Sequence, residues 1–151
     1  MKTWGKRILG IAILLAAMAA GTDLWSWMRP SAGPPAAAAG WKLSAAADCV
    51  HAVPAELRGW RGISGARRVC RAEYAGSPGM RLTLFEMPEW PGATAFDAFQ
   101  KWRPAQPGRM GFFKGCYFGV VESPEADRAA LERFAIAVER ALPGRGEGLR
   151  W

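Results

Sequence analysis

Two stretches of alternating side chains, joined by a turn, place the tightest limit on what this chain can fold into. From Arg67 to Tyr74, Cys70, Ala72 and Tyr74 fall on one face, with Arg67, Arg71 and Glu73 on the other. A period of two is the mark of a half-buried strand. Ala75-Gly76-Ser77-Pro78-Gly79 supplies turn chemistry, and Met80 to Met87 completes a hairpin. In that second strand Met80, Leu82 and Leu84 oppose Phe85 and Met87, so both faces have apolar residues to cover.

The same logic carries through the C-terminal half. Pro88 to Gly92 breaks the hairpin, and a helix is expected over about Thr94 to Arg103. Ala95, Phe96, Phe99 and Trp102 form its apolar stripe. Thr94 and Asp97 are spaced as a capping box with Asp in place of Glu. Pro104 ends it. Arg109 to Glu122 reads as a second hairpin turning at Lys114-Gly115. Cys116, Phe118 and Val120 lie on one face of it, and Tyr117, Gly119 and Val121 on the other.

A closing helix is expected with Ser123 as cap, Pro124 at its first position and Leu131, Phe134, Ala135, Val138, Ala141 and Leu142 at helical spacing. Pro143-Gly144 stops it. Earlier in the chain, Gly40 to Leu43 has the makings of a short strand and Val53 to Leu57 of one helical turn. Residues 58–66 are a Gly-rich loop. The expected fold is α+β: an antiparallel sheet in the order β-β-α-β-β-α, with the helices packed on one face.

The N-terminus carries a different signal. Lys2, Lys6 and Arg7 precede Ile8 to Ala20, a run of thirteen residues without a charge. Ala17-Met18-Ala19 matches the small-residue cleavage pattern of a signal peptide. A membrane span needs about 20 apolar residues, and Asp23 interrupts this run early. The rival reading extends it through Leu24 to Met28, with Trp25 and Trp27 at the outer interface. Residues 1–21 are therefore expected to be a signal peptide or short membrane anchor, and 22–40 a Pro/Ala-rich linker. Residues 41–144 follow as a single α+β domain, and 145–151 as a disordered tail.

Both readings export the domain, leaving it periplasmic or anchored to the outer face of the cytoplasmic membrane, since the basic residues stay inside. The formal charge of +7 includes three cations of the leader, so the remainder of the chain carries +4. Export and this mild balance argue against nucleic acid as a partner. They leave a membrane surface, an acidic glycan or another envelope protein.

Residues 67–144 also resemble a family of uncharacterised exported bacterial proteins. The stretches that carry the resemblance are Gly40-Trp41, Ala72-Glu73-Tyr74, Leu84-Phe85-Glu86-Met87, Ala95-Phe96, Gly115-Cys116-Tyr117-Phe118-Gly119-Val120 and Leu131 through Leu142. Cys116 departs from the pattern by interrupting its Gly-Tyr pair. The resemblance implies the fold and the compartment, and no catalytic residue.

Chemistry-bearing groups are few. Three cysteines, Cys49, Cys70 and Cys116, allow three pairings in an oxidising compartment, with one thiol left over. Cys70 and Cys116 share the core-facing phase of their strands, which makes them one candidate bridge. Cys49 and His51, spaced C-x-H, form the one Cys/His pair, but structural zinc wants four ligands. No metal site, cofactor site or catalytic constellation is read from the residues: Gly62-Ile63-Ser64-Gly65 falls one residue short of a nucleophile elbow.

Arg58, Arg61, Arg67, Arg68 and Arg71 cluster around Trp60. Arginine forks and an interleaved indole suit phosphate or anionic sugar. The expected function is a non-catalytic binding or assembly module of the envelope using this cluster. The alternative is a thiol- or metal-dependent redox protein using Cys49 and His51.

Overall fold

The computed structural model describes residues 31–89, 91–145 and 147–150. The expected signal or anchor lies outside these residues. From Ala32 onward the chain forms one unit. No helix among the described residues is long and apolar enough to cross a membrane.

The expected hairpins are the centre of the sheet. β4 (Arg68–Ala75) pairs with β5 (Met80–Glu86), and β6 (Arg109–Lys114) with β7 (Tyr117–Glu122). The hairpins join through β5 and β7. Three short strands precede them: β1 (Ala37–Ala38), β2 (Trp41–Leu43) and β3 (Asp48–Val50). β8 (Glu147–Arg150) follows. The result is an antiparallel sheet of order β1-β2-β4-β5-β7-β6-β8, with β3 beside β4 at the other end of the edge that β2 occupies.

The α+β class holds, but the helices do not share a face. α1 (Ala95–Lys101) and α2 (Arg128–Ala141) cover opposite sides of the sheet. Leu82, Leu84, Tyr74, Met110 and Phe112 point toward Leu131, Phe134 and Val138 of α2. Val69, Phe85, Phe118 and Val120 point toward Ala95, Ala98 and Phe99 of α1. The alternation dictates this, because a strand that is apolar at both odd and even positions leaves a wet face unless each side has its own cover. α1 is short, however, and shields only one end of its face.

Two segments expected to be loose are built into the fold. Of the Pro/Ala-rich stretch expected as a linker, residues 22–30 lie outside the described residues, and the part from Ala32 to Gly40 lies against the sheet. Tyr74 Oη donates to Pro35 O at 2.8 Å, Ala32 N–H donates to Tyr117 Oη at 2.9 Å, and Ala38 is buried. Two buried phenols that need partners supply the anchor. Within the expected tail, Glu147–Arg150 pairs as β8 with β6. Gly115 sits at φ +55° in the β6–β7 turn, where a Cβ would lie 2.9 Å from the Cα of Gly144. Gly115 N–H donates to Arg145 O at 3.1 Å. Two glycines therefore let the chain leaving α2 cross the turn and reach the sheet edge.

Smaller corrections follow from local bonding. The β6–β7 turn falls at Gly115-Cys116, since Lys114 pairs with Tyr117, so Cys116 lies in the turn and not on the strand, partly buried at the margin of the core that contains Cys70. α2 is capped by Asp127, whose carboxylate accepts from Ala130 N–H at 2.7 Å, and not by Ser123. Ser123 is buried, its N–H given to Gly108 O at 2.9 Å, which holds the exit of β7 one turn short of the helix. The Thr94–Asp97 capping box forms as its spacing requires.

Burial raises the Tyr74 phenol well above the ordinary tyrosine range. A folded value above the unfolded one stabilises the protein below about pH 10 and is lost as pH rises beyond it. Tyr74→Phe is expected to cost about 1 kcal/mol at neutral pH through the lost bond to Pro35. It should also flatten the alkaline decline in stability, as read from urea midpoints at rising pH.

Candidate functional site

Beyond the end of α1, its sheet face opens into two joined clefts. The loop of residues 58–66 builds the first. Leu57 and Ile63 are buried and pin the loop at both ends, while Trp60 N–H donates to Leu57 O at 2.9 Å. Gly62 has φ +87°, and a Cβ there would sit 2.9 Å from the Cα of Ala98. The absence of that side chain lets the loop press onto α1 and sets Arg61 beside the helix's last turn.

α1 ends where Pro104 forbids further helix. Its last residue, Lys101, and the two that follow it, Trp102 and Arg103, line the cleft beside the loop. Lys101 Nζ donates to Gly92 O at 3.2 Å. Arg103 Nη1 donates to Gln100 O at 2.6 Å and Trp102 O at 2.7 Å. Cations at a helix C-terminus complement its partial negative charge. Trp102 is buried, its ring 6.2 Å from Phe118 and close above Gly111, and it forms the back wall.

Trp60, Arg61, Lys101, Trp102, Arg103 and Arg109 bound a cleft of about 290 Å³, with no carboxylate among the described residues lining it. Arg109 sits over the Trp60 ring at 5.9 Å and pairs with Glu122 at 2.7 Å. Trp60 leans on Phe85 at 5.9 Å and is left partly exposed. Arg61 is exposed and has no ion-pair or hydrogen-bond partner among the described residues. A second cleft, about 610 Å³, adjoins the first and shares Trp60 and Arg109 with it.

The fold distributes the arginines grouped by the sequence. Trp60 and Arg61 line the basic cleft, and Arg71 lines the larger one, bound to Glu56 at 2.6 Å. Arg58 and Arg67 are exposed outside both. Arg68 lies on the α2 side of the sheet, near Glu86 at 4.0 Å, with Nη2 3.3 Å from Cys49 Sγ. Period two sends Arg68 and Arg71 to opposite faces despite their closeness in sequence. Lys101, Trp102, Arg103 and Arg109 went unread as site residues, although Lys101-Trp102-Arg103 repeats the cation–indole pattern of Trp60-Arg61.

The cysteine chemistry resolves differently from the Cys70–Cys116 candidate. Cys49 and Cys70 face each other across β3 and β4, with Cα atoms 4.0 Å apart, and are joined as a disulfide. Cys49 thus offers no thiolate to His51, which is exposed just beyond β3. Cys116 is the free thiol, half-buried in its turn. Burial pushes its pKa up, reinforced by the charges of Glu86 and Glu89, and this opposes the thiolate that reactive cysteines need. Among the described residues, no three His, Cys, Asp or Glu side chains lie close enough to hold a metal ion.

No protein-family model, curated protein or solved structure matches the chain.

Proposed function

We propose that this chain is an exported, non-catalytic binding module whose basic cleft captures an anionic ligand at the cell envelope. The observation that carries the reading is the gathering of Arg61, Lys101, Arg103 and Arg109 around Trp60 and Trp102, without a carboxylate among the described residues in the same lining. Guanidinium forks bind carboxylate or phosphate bidentately, and the indoles supply flat apolar contact beside them. Export is supported by the basic N-terminus with its uncharged run and by the Cys49–Cys70 bridge, a bond suited to oxidising compartments. The resemblance of residues 67–144 to uncharacterised exported proteins agrees with that compartment.

Outside the cytoplasm the available anions are lipid headgroups and acidic glycans. Titration of tryptophan fluorescence with D-glucuronate and with glycerol phosphate tests the reading, since both indoles line the cleft. Saturable binding of at least one is expected. Arg61→Glu with Arg103→Glu should weaken it by about tenfold or more, as each charge-assisted bond contributes about 1.5–3 kcal/mol. Arg58→Glu with Arg67→Glu makes the same charge change outside the cleft and should leave binding intact. If neither anion binds, or if both pairs weaken binding equally, the cleft is not the site.

A further inference from the structure

The larger cleft has a floor of a different kind from the basic one. Its base is the part of the sheet that α1 leaves uncovered. Strand register sets Glu73 opposite Arg81, Arg81 opposite Glu122, and Glu122 opposite Arg109. One rung of the sheet therefore alternates carboxylate and guanidinium across four strands. On the neighbouring rung Asp48 faces Arg71, and Arg71 faces Thr83. Glu56 with Leu57 forms one wall, Ala45 and Ala46 another, and Trp60 stands where the two clefts meet.

The chemistry of this floor sorts the occupants. An acyl chain would strip water from Glu73 and Arg81, which lack an ion-pair partner among the described residues, unlike Arg109 and Glu122, and that costs heavily. A polyanion would meet Asp48, Glu56, Glu73 and Glu122. A cationic segment would be repelled by the basic cleft next door. Hydroxyl groups both donate and accept, so they satisfy guanidinium and carboxylate alike. They would meet these groups at the inter-strand spacing of about 4.8 Å, on the scale of a sugar ring.

Building on the proposed anion site, we infer that the two clefts together bind an acidic oligosaccharide. Its charged unit sits among Arg61, Arg103 and Arg109. The neutral units that follow lie along the Glu73–Arg81–Glu122 rung, and Trp60 packs at the junction. The ligand carries its acid at one end, not along its length.

Aldotetraouronic acid, one glucuronic acid on a xylotriose chain, is the probe, with D-glucuronate, xylotetraose and glycerol phosphate for comparison. The tetrasaccharide should bind about tenfold more tightly than glucuronate, the worth of two added net hydrogen bonds. Glu73→Ala with Thr83→Ala, both outside the core, should return its affinity to that of glucuronate while leaving glucuronate binding and near-ultraviolet circular dichroism unchanged. Equal affinity for tetrasaccharide and glucuronate would overturn the extended site and leave the anion site standing. Binding of glycerol phosphate but neither sugar acid would also overturn it, in favour of a lipid headgroup. Failure of every anion would remove both readings.

Discussion

Loss of the Cys49–Cys70 bridge, by reduction or by replacing both residues with alanine, is expected to lower the unfolding free energy by about 3 kcal/mol. The cysteines are 21 residues apart. Closing a loop of that length in the unfolded chain removes entropy worth about 3 kcal/mol at room temperature in the chain-entropy description. The native side adds to the effect. β3 is three residues long and is held to β4 by three register pairs, one of which is the bridge itself.

Residues 44–50 supply Ala45, Ala46 and Asp48 to the larger cleft, so the same loss should loosen that wall. Urea unfolding with and without a dithiol reductant measures the first effect. Amide exchange across residues 44–50 measures the second. An unchanged midpoint and unchanged exchange would mean that the bridge contributes nothing to holding this edge.

Phe134→Ala is expected to cost more, about 3–5 kcal/mol. Phe134 is fully buried on α2 and fills the space between the helix and the sheet. Its ring meets Trp41 edge-on at 5.6 Å and Tyr74 at 4.8 Å. Tyr74 in turn holds Pro35, and Trp41 Nε1 donates to Pro78 O at 2.6 Å. Truncation therefore opens a cavity beneath the N-terminal strap as well as under the helix. Small domains hold about 5–15 kcal/mol in all, so much of the fold's stability rests on this position. Phe96→Ala is the contrast: the residue is 46% exposed, with one aromatic neighbour, Phe113, at 5.3 Å. Its loss should stay below about 1 kcal/mol. Chemical denaturation of the two variants side by side reads the difference, and similar losses would mean that α2 is not the keystone of that face.

Local patterns were enough for the hairpins, for both helices and for the capping box, because alternation, helical spacing and caps act within a few residues of one another. The arginine and tryptophan content near residue 60 was visible in the same way, as was the presence of a cysteine pair among three. What neighbours in sequence cannot report is which faces meet. Phe85 and Met87 opposite Leu82 and Leu84 already announced a sheet apolar on both sides, yet only the packed structure assigned α1 to one face and α2 to the other.

The site depended on tertiary contacts to a greater degree. Arg61 reaches Lys101 and Arg103 because Gly62 lets the loop press against Ala98, a contact between residues 36 apart in the chain. Arg109 arrives from the strand after α1, and the alternation along β4 that carries Arg71 into the larger cleft excludes Arg68. Cys49 met Cys70, leaving Cys116 free, through the pairing of a three-residue strand with no periodicity to read. Composition and periodicity thus determined which elements and which chemical groups this protein has. The pairing of strands and the packing of two helices on opposite faces decided which of those groups share a cleft, since that depends on contacts whose energy exists only once distant segments are brought together.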